Sequence, residues 1–277
     1  MSVTASDVNK LRQMTGAGVM DCKKALIEAN GDFEAAIDIL RKKGQKVAAS
    51  RADRQSCEGT VFLRVSADKK QGFAFSLNCE TDFVAKNEEF LSVGNKIADL
   101  IALHQPSDVQ AIHSLLLEDN RSVADHLTEL MGKIGEKIQI ANYAHLKGEC
   151  IVSYLHMGAK VGVLVALNSS SQAAEVAGKD VAMQIAAMRP IAVNRQSVDP
   201  AIVARELEIA KEQARAEGKP EAMLEKIAMG KLNKFYKEST LLEQEFVKDN
   251  TQTVGQYLES VEKGLTVIDF KRISVAG

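Results

Sequence analysis

The sequence predicts an α+β protein with three parts. These are an N-terminal three-helix module, a duplicated α/β core with small antiparallel sheets, and a protruding antiparallel helical hairpin. Two patterns in the residues carry this. Apolar residues recur at helical spacing near the N-terminus and again around residues 199–238, whereas "TVFLRVSADKKQGFAFSLNC" and "VGVLVAL" are compact apolar runs of strand character. One such run occurs twice. "QGFAFSLN" and "VGVLVALN" align Gly72 with Gly162 and Asn78 with Asn168, and "VGNKIADLI" then aligns with "AGKDVAMQI", Gly94 opposite Gly178. The size agrees: 277 residues, 45% hydrophobic and with only four prolines, suffice for two or three packed domains and do not suit a disordered chain.

Taken in order, residues 1–45 form the first module. Thr4 suits an N-cap, with Asp7 completing a capping box and Val3 and Val8 a hydrophobic staple. Val8, Leu11 and Met14 mark one helical face. "TGAG" breaks the helix, and Cys22, Leu26 and Ala29 then line a second one. Asp32 caps a third, whose inner face is Phe33, Ile37 and Leu40, and Gly44 suits its left-handed C-terminal cap. Residues 46–58 read as a polar, helix-tolerant linker. The first repeat is expected over 59–140 and the second over 141–277, with the hairpin at about 199–238 inserted in the second. In that hairpin Val203, Leu207, Ala210 and Ala214 face Met223, Ile227 and Gly230 across the "EGKPE" turn. A last helix, "TVGQYLESVEK", and a last strand, "LTVIDFKRI", close the second repeat.

Several function classes find no support. Net charge is −2, so no global basic field holds nucleic acid. The basic run Arg41–Arg54 reads as a helix end followed by a solvated linker. The start "MSVTASDVNK" is polar, unlike a signal peptide, and "VGVLVAL" is too short to span a bilayer. Cys22, Cys57, Cys79 and Cys150 are scattered, as expected of free thiols serving as small core hydrophobes in a reducing compartment. No phosphate-cradling glycine motif, nucleophile elbow or metal-ligand spacing is present, so neither cofactor nor metal is expected. An enzyme with a non-local site stays open, as does a helix-bundle adaptor, because the first module resembles ubiquitin-associated domains.

The corner "NCETDFVAKNEEF", Asn78–Phe90, stands out. The paired glycines are 22 residues apart in the first repeat and 16 in the second, so this corner holds six extra residues. The second copy makes the same connection with "SSSQA". Two readings fit Thr81-Asp82-Phe83-Val84: a helix N-terminus with Phe83 tucked beneath it, or a projecting aromatic anchor beside a charge. The inserted length favours the second. His156, at a strand end beside a turn, fits either an ordinary surface histidine or a partner contact.

"LRQMTGAGVMDCKKALIEANGDFEAAIDILRKKG" together with the Asn78–Phe90 corner closely resembles the elongation factor Ts family, the bacterial guanine-nucleotide exchange factors of elongation factor Tu. The likeness extends over essentially the whole chain. It implies a cytoplasmic translation factor, not an enzyme, that binds the GDP-bound and nucleotide-free forms of elongation factor Tu as a heterodimer or a 2:2 complex. It implies that Thr81, Asp82, Phe83 and Val84 enter that partner's G domain near its Mg²⁺. Arg12, Val19 and Met20 would grip the same domain, and His156 would approach its phosphate-binding loop. Some members carry an extra helix after the last strand, and this sequence ends instead at "ISVAG".

Overall fold

The computed structural model describes residues 3–276. Met1, Ser2 and Gly277, included in the expected terminal domains, lie outside it. Three helices come first: α1 (Ala5–Thr15), α2 (Val19–Glu28) and α3 (Phe33–Ser50). Thr4 and Asp7 form the expected reciprocal cap, and Asp32 caps α3 through the Ala35 amide. Val8, Leu11, Cys22, Ala25, Leu26 and Ala36 make this module's core. Met14, expected on that face, is exposed, because successive three-residue steps drift around the helix and carry it about 120° from Val8.

The first repeat runs β1 (Glu58–Val65), β2 (Gln71–Cys79), α4 (Asp82–Ala85), α5 (Glu88–His104), α6 (Val109–Ser114), α7 (Val123–Ile134) and β3 (Gln139–Lys147). Its strands form one antiparallel sheet in the order β1-β2-β3. β3 crosses the boundary expected at residue 140, so by topology this repeat closes at Lys147. One face packs on α5 and α7 through Phe62, Phe75, Leu77, Phe90, Ile97 and Leu130, with Phe62 and Phe75 stacked at 5.2 Å.

The second repeat runs β4 (Cys150–His156), β5 (Val161–Leu167) and α8 (Gln172–Met188), followed by the hairpin α9 (Pro200–Ala216) and α10 (Glu221–Ser239). Then come β6 (Glu245–Phe246), β7 (Asp249–Thr253), α11 (Val254–Val261) and β8 (Val267–Ser274). Its sheet has the order β4-β5-β8, again antiparallel, so the duplicated runs β2 and β5 are the central strands. The two sheets pack back to back through Val61, Ala74, Leu146, Ile151, Leu164 and Ile273. The aligned glycines lie at this junction: a Cβ on Gly72 would meet Ile151 at 2.7 Å, and one on Gly162 would meet Val61 at 2.5 Å.

Gly44 is not a cap. It sits inside α3, buried where α3 crosses α7, and a Cβ there would lie 2.9 Å from the Thr128 carbonyl oxygen. Gly132 faces it: a Cβ on Gly132 would come within 2.8 Å of the Gly44 Cα. Two helix backbones approach this closely only where both lack a side chain. The helix therefore consumes part of the expected linker.

The hairpin seam is formed by Ala210 and Ala214 against Leu224, Ala228 and Leu232. On α10 this lies one to two positions beyond the expected stripe, and Met223 is exposed. At its base the Ile191 amide donates to the Ser239 carbonyl (2.9 Å), and Arg195 forks onto Glu243 while lying 4.9 Å from the Tyr236 ring centre.

Candidate functional site

The six inserted residues leave β2 through a narrow, well-anchored corner. The β2–β3 ladder ends at the pair Asn78–Gln139. Thr81 then takes the N-cap position of α4 with extended backbone (φ −125°, ψ 155°), but its side chain makes no cap bond. Its hydroxyl donates instead to Glu136 Oε1 (2.7 Å), and its amide donates to Glu136 Oε2 (3.0 Å). Val84 and Ala85 turn inward and join the core beside Cys79 and Phe90. The Ala85 carbonyl accepts from Thr60 Oγ1 at 3.2 Å. Asn87 caps α5 by accepting from the Glu89 and Phe90 amides.

This anchoring turns Phe83 outward. Its side chain is 83% exposed, so the ring projects and is not tucked beneath the helix, although a helix does start here with Thr81 at its N-cap position. Asp82, beside it, pairs with Lys86 at 2.8 Å. That hydrogen bond and the Lys86 charge, against the opposing effect of burial and with a lesser contribution from Lys160, hold its carboxyl below the usual carboxylate range, so it is ionised at neutral pH. Beneath, the Cys79 thiol donates to the Thr81 carbonyl at 3.2 Å. Burial, with the Glu136 and Glu58 charges, pushes its pKa up to about 12, so it is an inert core thiol. Cys22 and Cys150 are likewise buried, but Cys57 is exposed in the connector.

The residue before Thr81 is also fixed. Arg51 Nη1, at the C-terminus of α3, donates to both Glu80 oxygens at 2.8 and 2.9 Å, and the Lys137 amide donates to Glu80 Oε1 at 2.7 Å. Burial works to raise the Glu80 pKa, yet the Lys137 amide and Arg51 outweigh it and hold the carboxyl below its ordinary value.

The other expected contact residues lie around this corner. His156 ends β4, half-buried, with Nδ1 3.2 Å from Tyr154 Oη. The turn after it has three successive left-handed residues, Met157, Gly158 and Ala159. It docks on the first repeat: the Val61 amide donates to the Ala159 carbonyl (2.7 Å), and Lys160 pairs with Glu58 (2.6 Å). Glu58 lies opposite Cys79 in the ladder, so this turn and the Asp82-Phe83 corner share one end of the first sheet. Arg12, Val19 and Met20 are exposed at the turn between α1 and α2. Lys133 links that turn to the corner. Its Nζ lies 2.9 Å from where a Gly16 Cβ would sit, and it pairs with Glu89, in the first turn of α5, at 2.8 Å.

Thr81 and Val84 therefore anchor the corner, whereas Asp82 and Phe83 project from it. Sequence reasoning missed the groups that anchor it: Arg51, Lys133 and Glu136. Each is remote in the chain and carries no motif, so only the β2–β3 register could have pointed to Glu136. Among the described residues no group of three His, Cys, Asp or Glu is placed to hold a metal ion, and no helix is long and apolar enough to cross a membrane.

The family model described as elongation factor TS matches residues 80–277. The chain is 55% identical to elongation factor Ts of Cytophaga hutchinsonii and 52% identical to that of Amoebophilus asiaticus, over 99% of both chains in each case. It is 42% identical to elongation factor Ts of Chlorobaculum parvum, over 94% of this chain and 93% of the relative.

Proposed function

The chain belongs to the elongation factor Ts family, and from that premise we propose that it accelerates GDP release from elongation factor Tu by displacing Mg²⁺ with the Thr81–Val84 corner. The observation that carries this reading is the pairing of an 83%-exposed Phe83 with a root packed into the core through buried Val84 and Ala85. An exposed phenyl ring on a fixed support has apolar area to bury on a partner and little ordering entropy to lose in doing so.

Mg²⁺ demands near-ideal octahedral geometry, so a small shift of the protein groups around it weakens its hold on nucleotide phosphates. Phe83 is the wedge. Asp82, ionised at neutral pH, accepts hydrogen bonds from displaced donors and repels the phosphates' negative charge. Thr81 and Val84 flank the pair and set the corner's geometry. Arg12, Val19 and Met20 grip the same domain from the N-terminal module, and His156 approaches the phosphate-binding loop from the second repeat. The protein makes and breaks no covalent bond and needs no cofactor.

Magnitudes require all three surfaces. A ten-thousandfold acceleration lowers the barrier by roughly 5.5 kcal/mol. Burying one phenylalanine contributes about 1.5–3 kcal/mol. The remainder comes from surfaces that bind the nucleotide-free partner better than the GDP form, and linkage then weakens GDP binding by the same factor.

The test follows release of fluorescent GDP from elongation factor Tu after adding excess unlabelled GDP, with and without this protein. Strong acceleration is expected, falling at least tenfold with Phe83→Ala while the complex still forms, roughly the loss of a buried ring's contribution. Wild-type kinetics in that variant would remove the wedge from the mechanism.

A further inference from the structure

We infer that Glu136 is a positioning residue for nucleotide release: with Glu80 it forms a reciprocal carboxylate clasp that fixes the corner from which Asp82 and Phe83 project. This rests on the exchange reading above and extends it to a residue outside the corner.

The clasp begins where the sheet ends. The last ladder pair is Asn78–Gln139, and counting on from it sets Glu80 against Lys137 and Thr81 against Glu136. Past that pair, carboxylates rather than carbonyls meet the main-chain amides. The Lys137 amide is met by the Glu80 side chain at 2.7 Å, and the Thr81 amide by the Glu136 side chain at 3.0 Å. The Thr81 hydroxyl adds a third bond, to Glu136 Oε1 at 2.7 Å, so both Glu136 oxygens hold the residue that precedes Asp82. The outer edges are fixed too. Arg51 holds Glu80, and Lys137 Nζ holds the Ala52 and Arg54 carbonyls at 2.6 and 3.0 Å.

Continued backbone pairing would have drawn Asp82 and Phe83 into the sheet. Side-chain acceptors let the main chain leave at Thr81 while still meeting its amide, and bonds to ionised acceptors are stronger than bonds to carbonyls. The corner needs this support. α4 is one turn of four residues, too short to be stable alone, and its N-cap side chain is spent on Glu136 and leaves the helix uncapped. The bonds that hold its start are thus those of the clasp. Without them Phe83 stays exposed but is no longer aimed, and the cost of ordering the turn moves from folding to the exchange step.

The test uses the full chain in stopped-flow release of fluorescent GDP from elongation factor Tu, over a range of exchange-factor concentrations. Glu136→Ala is expected to lower the maximal rate about tenfold, the loss of one or two charge-assisted hydrogen bonds. The half-saturating concentration should change by less than about twofold, because the α1–α2 turn still binds. Thr81→Val should lower the maximal rate in the same sense, and Thr81→Ser, which keeps the hydroxyl, should restore it. Amide hydrogen exchange should quicken at residues 81–85 in Glu136→Ala while the β2 and β5 amides keep their protection. A Glu136→Ala protein with the wild-type maximal rate would overturn the inference, as would loss of protection throughout both sheets, which marks a merely structural role. If Glu136→Ala fails to fold, the Thr81→Val and Thr81→Ser pair decides. If the wild-type protein does not accelerate release at all, the exchange reading fails, and hydrogen exchange at 81–85 still tells whether the clasp fixes the corner.

Discussion

Phe83 and Val84 are adjacent in the chain and opposite in environment: one ring is 83% exposed, the other side chain is packed beside Cys79 and Phe90. Urea unfolding should separate them. Phe83→Ala should leave stability within about 0.5 kcal/mol of wild type, because it removes no buried contact. Val84→Ala should cost about 2 kcal/mol, from lost transfer energy and the small cavity left behind. Glu80 gives a pH-dependent counterpart. Its folded pKa is depressed, so its ionised form stabilises the protein fully above the usual carboxylate pKa, and that contribution is lost as pH falls through the depressed value. Glu80→Gln should therefore cost about 1 kcal/mol at neutral pH, and the gap from wild type should close on acidification. A gap that is constant with pH would mean that packing, not the Arg51 bond, carries the effect.

At the scale of the element, the crossing of α3 and α7 sets propensity against packing. Alanine is favoured over glycine within a helix by about 1 kcal/mol, so Gly44→Ala would stabilise an isolated α3. Here the added Cβ would lie 2.9 Å from a backbone oxygen on α7, which has no flexible end to move. The substitution should instead loosen the N-terminal module by about 1–3 kcal/mol. Limited proteolysis should then cleave near residues 51–57 faster while the two sheets stay intact. The same crossing shows why the sequence told element order well and this boundary poorly. Strands and helices announce themselves by period, and the reciprocal cap of Thr4 and Asp7 is local. A glycine in a basic run reads as a helix end, and only α7, far along the chain, makes it a contact point. The hairpin seam slipped by one to two residues for a similar reason: Met223 and Leu224 are both apolar neighbours, and only the facing Ala210 and Ala214 choose between them. The candidate site was half legible. The repeat exposed the inserted corner by contrast with its second copy, while the carboxylate that holds it lies across the β2–β3 register with no local mark.

At the scale of the whole molecule, the duplication places Phe83 and His156, two of the candidate contact points, on sheets that share one core. Phe83 leaves the first sheet, His156 leaves the second, and the bond from the Val61 amide to the Ala159 carbonyl ties their two ends together. The back-to-back junction packs behind that tie, and Gly162 lies within it. Gly162→Val would push a side chain into Val61 and Leu63 of the opposite sheet. Overpacking of this kind should cost about 1–3 kcal/mol. If the sheets form one cooperative unit, hydrogen-exchange protection should fall by the same increment in β2 and β5, although only β5 carries the substitution. Exchange activity should fall with it, because parting the sheets moves the His156 turn away from the Phe83 corner without altering either. Protection lost from β5 alone would mean that the repeats unfold separately. The relative placement of the two candidate contact points would then depend on the docked turn, through the Ala159 carbonyl and the Lys160–Glu58 pair, rather than on the shared core.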